Sequence, residues 1–516
     1  MVFNHYSRKT NIIRSSFFSL VCRLVDLALG LGYRYLFLKT LSIEYLGING
    51  LFTNILGVLS LAELGITNSI VYRLYDPISK EDVDKVGELM SFFKQAYLLI
   101  ALVITLDGLA ITPFLQFLIK DASEIPSDVN LHIVFLLFLL QSASSYLFAY
   151  KLTLLIADQK QYLHSIVITS ITTIRYIVQL IILISSKDYT LTLVAGIAVT
   201  VILNWVFSML VSRRYHSVFQ VNSKLSKQDR KAIYKDTSAA MLHKIGGTVL
   251  SSTDNILLSK YIGLAVTGIY ANYSMVISSV FSIISMFFSG FTPSLGNAHA
   301  VLDKDSRYEI YKRSLLINLF IVGLTTVCIF GLIDDFLLLW LRKAYFLEES
   351  VVILLSISFF INGSRIISTS YTNACGLFVR DKARPLIEAS LNLLISIIAL
   401  KVIGIGGIFL GTIISSLLTV IWREPLLLYK YAFGKSVADY WKEYIKSAVV
   451  VLLSSLIIRC FVDRLITVNG NLLLWLLKAL ICIAVFLLIH FMFYYNTKEY
   501  RYMLSQVKMA LRGKLR

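Results

Sequence analysis

Apolar stretches of about twenty residues follow one another from near Arg14 to near Tyr495, and a chain with that pattern is confined to helices that cross a bilayer. Water is not available in hydrocarbon to satisfy backbone amides, so each stretch has to close its own hydrogen bonds as a helix. With 57% apolar and 16% charged residues, the chain is too apolar to hide that surface in a soluble core. About fourteen helices are predicted, near 14–38, 46–71, 94–119, 129–150, 163–185, 190–212, 237–260, 266–291, 313–336, 347–372, 384–403, 405–422, 446–463 and 470–495.

Several of these stretches carry a cation at membrane depth. A charge at the centre of a lone spanning helix costs roughly 2.5–3.5 kcal/mol, so Arg23, Arg34, Arg175, Lys244 and Arg365 are expected to avoid lipid and to line a hydrated cavity that meets an anionic ligand. At 100° per residue, Gly30 and Arg34 each fall within ~20° of Arg23 on the first helix, with Asp26 about 60° away from it. Two readings are open there: a cationic stripe facing a diphosphate, or a local Arg23–Asp26 pair that neutralises itself. On the seventh helix His243, Gly247, Ser251 and Asp254 share one side, with Lys244 at its edge. Lys244 either meets the cavity, sharing a phosphate with Arg23, or reaches the headgroups. Arg175 and Arg365 lie deeper, among Ser and Thr, and are the strongest cavity candidates; the alternative is that each ties backbone carbonyls.

The acidic residues near membrane depth, Glu63, Asp107, Asp254 and Glu388, are expected to pair with arginines ahead of carrying an ion. Asp26, Glu63 and Asp254 are the candidates for coupling or gating. Asp254 has oxygens from Ser251, Ser252, Thr253 and Asn255 around it, and Glu63 could close a gate against a basic residue. No catalytic residue, metal site or cofactor is expected, and no phosphate-binding GxxxxGK[ST] loop occurs, so a proton or sodium gradient, or substrate supply and removal, is left as the energy source. The five cysteines are odd in number and lack CxxC spacing, which points to neither disulfides nor metal.

The net charge of +18 would suggest nucleic acid in a soluble protein, but in a membrane chain the placement of each Lys and Arg decides more. With the N-terminus inside, inner segments hold 34 of the 49 and outer segments nine, which places both termini in the cytoplasm. The polar stretch at 213–236 divides a first lobe, 1–212, from a second, 237–430, and leaves 431–516 as two added helices with a basic tail. A shift of 221 residues aligns Arg23 with Lys244, Lys39 with Lys260 and Gly47 with Gly268, while a shift of 222 aligns Lys160 with Lys382. Six helices per repeat keep their orientation, so the halves should be related by an axis along the membrane normal.

The segments YLGINGLFTNILGVLSLAELGITNSIVYRLYDPI (45–78), STDNILLSKYIGLAVTGIYANYSMVI (252–277) and NACGLFVRDKARPLIEASLNLLISI (373–397) resemble Wzx-type polysaccharide flippases, of the superfamily that also holds multidrug extruders and the lipid II flippase. The resemblance covers helices one to twelve. It implies two six-helix lobes in a V that move an undecaprenyl-diphosphate-linked oligosaccharide, such as an O-antigen or capsule repeat unit, outward across a bacterial cell membrane. Membrane lipids, with a polysaccharide polymerase and glycosyltransferases, are the implied partners. A cation-coupled multidrug exporter is the alternative, followed by a membrane-bound polymerase or glycosyltransferase, which the short outer segments near 120–128 and 336–347 disfavour.

Overall fold

Helical runs begin and end where the sequence changes from apolar to polar or reaches Gly, Pro, Asn or Asp. The computed structural model describes residues 8–63, 65–221, 223–343 and 345–497. The helices of the first part are α1 (Arg8–Thr40), α2 (Ile43–Leu59), α3 (Ile66–Ser79), α4 (Val83–Ile111), α5 (Leu131–Ala157), α6 (Gln161–Ser186), α7 (Tyr189–Arg214), α8 (His216–Gln220), α9 (Lys227–Tyr261) and α10 (Leu264–Ser289). There follow α11 (Thr292–Val301), α12 (Lys304–Leu341), α13 (Glu349–Ser364), α14 (Ile366–Ala374), α15 (Arg384–Ile403), α16 (Gly406–Leu418), α17 (Val420–Leu427), α18 (Ala438–Ile457), α19 (Asp463–Leu465) and α20 (Leu472–Tyr494).

Eleven helical runs among the described residues are long and apolar enough to cross a membrane. The protein is an all-α, multi-pass membrane protein. α1 and α9, long but charged, and α2 continued by α3, account for the remaining three of the fourteen expected helices. Caps set many of the starts: Asn130 accepts from His132 and Ile133, and Asn471 from Leu473 and Leu474, satisfying amides that a helix leaves free.

Cα packing divides the chain into two compact units, Met1–Ala271 and Asn272–Arg516. The division falls inside α10 and not at 213–236, because α9 packs along α2 and α3 in the first unit. The polar 213–236 segment, expected as the linker between lobes, is thus not where the packing divides. Its Asp229 accepts from Lys85 at the start of α4 at 2.7 Å, and hydrogen bonds from Lys85 and Ser226 hold this carboxyl below its ordinary range.

The repeat is visible in the helix ends. α1 stops at Thr40 and α2 starts at Ile43; α9 stops at Tyr261 and α10 starts at Leu264, each 221 residues on. Contacts inside the first unit obey the same shift reciprocally. A Cβ at Gly47 would lie 2.1 Å from the Leu264 carbonyl oxygen, and a Cβ at Gly268 would lie 2.3 Å from that of Ile43. Arg34 Nη1 donates to the Ala271 carbonyl at 2.6 Å, and the residues 221 places from these two, Asn255 and Gly50, also face one another. Contact of i with j matched by contact of their repeats in reverse is the mark of two-fold self-complementarity. Only glycine permits this backbone approach.

In the second unit the long α12 packs against α13, α18 and α20, and α15 and α16 form a close hairpin whose Gly407 and Gly411 lie against Ala399, Leu400 and Ser396. The last two spans are pinned by Lys478, a cation at membrane depth in the sequence, which meets Asp335 of α12 at 2.6 Å and Asp463 at 2.8 Å. Gly47→Ala and Gly268→Ala should each destabilise the protein, by about 1–3 kcal/mol and by like amounts, while Gly32→Ala, with open space at its Cβ, should not. Thermal unfolding in detergent checks all three.

Candidate functional site

A charged residue carried into an apolar bundle is stable only where a neighbouring helix supplies its counter-charge or polar partners. In the first unit α1 packs along α6, and that seam holds three of the charged residues singled out in the sequence. Asp26 Oδ2 accepts from Thr169 of α6 at 3.1 Å, and Arg23 and Arg175 lie near enough to act on its charge. Arg175 lies 5.0 Å from the ring of Tyr176, which stacks at 4.7 Å on Tyr33 of α1. Asp26 Oδ1 and Arg175 Nε are buried and lack a hydrogen-bond partner among the described residues. Arg23 itself is exposed. Arg34 turns elsewhere, to the Ala271 carbonyl.

Glu63 sits where the second spanning helix breaks, in a short 3-10 turn between α2 and α3, and Gly65, at φ 81°, makes the reversal a side chain would resist. Its Oε2 meets Lys244 Nζ of α9 at 3.0 Å, its Oε1 is held by Thr67, and Thr67 reaches the Tyr97 hydroxyl at 2.6 Å. Lys244 therefore has a carboxylate partner, and the pairing of Glu63 with a basic residue expected from the sequence is present. Asp254, lower on α9, keeps Oδ1 buried without a partner among the described residues, as does the neighbouring Asn255. The side chains of His243 and Ser251, expected on the same face, lie outside the described residues.

In the second unit Arg365 also marks a break, at the junction of α13 and α14, where Asn318 Nδ2 donates to the carbonyls of Gly363 and Ser364 at 3.0 Å each. Its guanidinium is held by Glu424 at 3.2 Å, with Glu388 at 4.0 Å. Arg384 meets the same two carboxylates at 3.2 and 2.8 Å and also Asp381; Arg423 joins through Asp381 at 3.3 Å. The Glu424 side chain is only 2% exposed, and three arginines and three carboxylates form one network in which Arg365 already has carboxylate partners, although its Nε has none among the described residues. Arg365 and Lys244 are thereby the two expected cavity residues that the fold pairs with carboxylates.

The sequence had marked Glu388 as an arginine partner, but Glu424, Asp381, Asp335 and Asp463 were missed. Glu424 lies in WREPLL, whose basic neighbour and proline read as a loop, although the helix runs through it. The signal available was a carboxylate within the apolar run from 405, inside reach of a break at Gly363.

No protein-family profile matches the sequence, and no curated protein matches it. Solved structures do share its fold. The lipid II flippase MurJ, in an inward closed conformation, is similar with TM-score 0.65 and 16% identity, over 94% of this chain and 99% of that one. A mutant of the Vibrio cholerae MATE transporter VcmN gives TM-score 0.56 and 15% identity over 83% and 98%. An inward-facing multidrug resistance MATE family transporter of the MOP superfamily gives 0.56 and 13% over 81% and 100%. The chain has the fold of these MOP-superfamily transporters.

Removing one partner of a buried charge pair costs about 3–5 kcal/mol, so Glu424→Ala should lower stability by that order, whereas Asp76→Ala, breaking the exposed pair with Lys80, should cost under about 1 kcal/mol. Denaturant or thermal unfolding in the same detergent distinguishes them.

Proposed function

We propose that this protein is a transporter, not an enzyme, that moves an undecaprenyl-diphosphate-linked oligosaccharide from the inner to the outer leaflet for assembly of a cell-surface polysaccharide. The observation that carries the reading is the α1–α6 seam. Arg23 and Arg175 converge there with Asp26, and buried polar atoms stay unpartnered in an apolar bundle, an arrangement suited to a hydrated passage for an anionic headgroup. A guanidinium donates two parallel hydrogen bonds to phosphate, while the polyprenyl chain can remain in lipid. The fold shared with the lipid II flippase MurJ supports a lipid-linked substrate.

In this reading the substrate contacts belong first to Arg23 and Arg175, with Arg34 and Lys244 reached when their present partners exchange. The Lys244–Glu63 pair acts as a gate: a headgroup phosphate competes with the Glu63 carboxylate for the ammonium. Arg365 holds the second unit together. The basic side of the chain faces the cytoplasm of a bacterial cell membrane, with both termini there, and glycosyltransferases or a polymerase supply and receive the substrate.

A second reading, a cation-coupled drug exporter, is favoured by one observation: the Asp254 oxygen buried without a partner, a place where a proton or sodium ion could bind. The fold shared with MATE transporters is compatible with it.

Native mass spectrometry of the gently purified protein tests the choice. A co-purifying polyprenyl diphosphate glycan, weakened roughly tenfold or more by Arg23→Ala or Arg175→Ala, is expected, since a hydrogen bond to a charged group is worth about 1.5–3 kcal/mol. Binding of organic cations, with no glycolipid retained and loss on Asp254→Asn, would replace the first reading with the second. For the gate, reversal of the pair in the double variant Glu63→Lys with Lys244→Glu should restore most of the transport that either single variant loses.

A further inference from the structure

The loop between α14 and α15 is the repeat partner of the turn between α5 and α6, yet the two are built differently. In the first unit the turn is shut. Lys160 is buried, its side chain 5% exposed, and binds Asp158, which also accepts from the hydroxyl of the buried Tyr215. In the second unit the matching Lys382 is exposed and forms no ion pair among the described residues. Beside it opens a cleft of about 450 Å³ lined by Arg380, Asp381, Lys382, Arg384, Leu418 and Trp422, with Ile387 and Arg423 completing its wall.

The charges of this cleft do not balance. Its one carboxylate, Asp381, is taken by Arg384 and Arg423, and the remaining nitrogens of the Arg384 guanidinium meet Glu388 and Glu424 behind it. Arg365, Arg384 and Arg423 against Asp381, Glu388 and Glu424 sum to zero. Arg380 and Lys382 are left over; Arg380 lies 4.2 Å from the Tyr431 ring, which orients it without neutralising it. The opposite wall is apolar and outward-facing: Ile387, Leu418 and Trp422 are 53%, 55% and 41% exposed, and all three belong to helices long enough to span the membrane. Two surplus cations at the ends of spanning helices, above an apolar wall open to lipid, match the two parts of one kind of molecule.

We propose that this cleft is a binding site for an anionic phospholipid of the leaflet on the basic side of the membrane. Its phosphate sits between Arg380 and Lys382, and its acyl chains lie along Ile387, Leu418 and Trp422. The site is separate from the α1–α6 seam and does not depend on what the protein transports. The lipid would brace the loop that carries Asp381 and Arg384, and through them the Arg365–Glu424 network.

The test uses the full-length protein in detergent, titrated with phosphatidylglycerol or phosphatidylcholine and read by native mass spectrometry. Retention of phosphatidylglycerol over phosphatidylcholine is expected, and Arg380→Gln with Lys382→Gln should abolish the preference, a loss of roughly thirtyfold for two cations near an anionic lipid. Neither residue belongs to the ion-pair network, so the lipid-free thermal midpoint should hold. If the double variant fails to fold, acylation of Lys382 by an amine-reactive reagent in the native protein decides: phosphatidylglycerol nanodiscs should shield it and phosphatidylcholine nanodiscs should not. Equal retention of both lipids, an unchanged preference in the variant, or equal labelling of Lys382 in both nanodiscs would overturn the proposal. So would full displacement by inorganic phosphate, which would make the cleft a soluble-anion site.

Discussion

The pairing of charge inside an apolar bundle is the constraint on which the rest of this structure depends. An ionised side chain cannot be left in hydrocarbon, and the desolvation it suffers among packed helices is repaid only by close partners of opposite sign. Glu424 shows the result. A carboxylate almost wholly removed from solvent joins Arg365 and Arg384, and through Glu388 and Asp381 ties α13, α14, α15 and α17 into one body. Lys478 does the same for the last two spans, through Asp335 and Asp463. Among the described residues Asp26 Oδ1, Asp254 Oδ1 and Arg175 Nε in the first unit are buried without a hydrogen-bond partner, as is Arg365 Nε in the second.

Helix breaks recur where these charges sit. Glu63 stands in the turn between α2 and α3, and Arg365 at the junction of α13 and α14. A broken spanning helix exposes backbone groups that need partners, and Asn318 supplies them at the second break. The backbone cost and the charge cost are thus met in the same places, where a side chain can exchange one partner for another with little movement of the helices around it.

The internal duplication gives the first unit its closest packing. Gly47 and Gly268 each admit the other repeat's backbone, so two helix pairs meet through copies of one surface. Duplication also supplied raw material for divergence. Lys160 and Lys382 occupy matching turns, yet one is locked in a buried pair and the other is exposed at a cleft, with no ion pair among the described residues.

The amino-acid sequence by itself determined the helical membrane class, the approximate place of its long helices, the repeat shift of 221 and which residues would be costly in lipid, because hydropathy, period and charge are local properties that any fold must respect. Pairing of Glu63 with a base and of Glu388 with an arginine could be anticipated for the same reason. Only the tertiary structure decided the partners. That Arg365 faces Glu424 while Arg175 lies in the neighbourhood of Asp26 follows from which helices lie side by side, and a period read along one helix carries no information about its neighbour. The sequence therefore grouped five cations into one set, and three-dimensional packing gave Lys244 and Arg365 carboxylates, Arg34 a backbone carbonyl, and Arg23 and Arg175 a place beside Asp26.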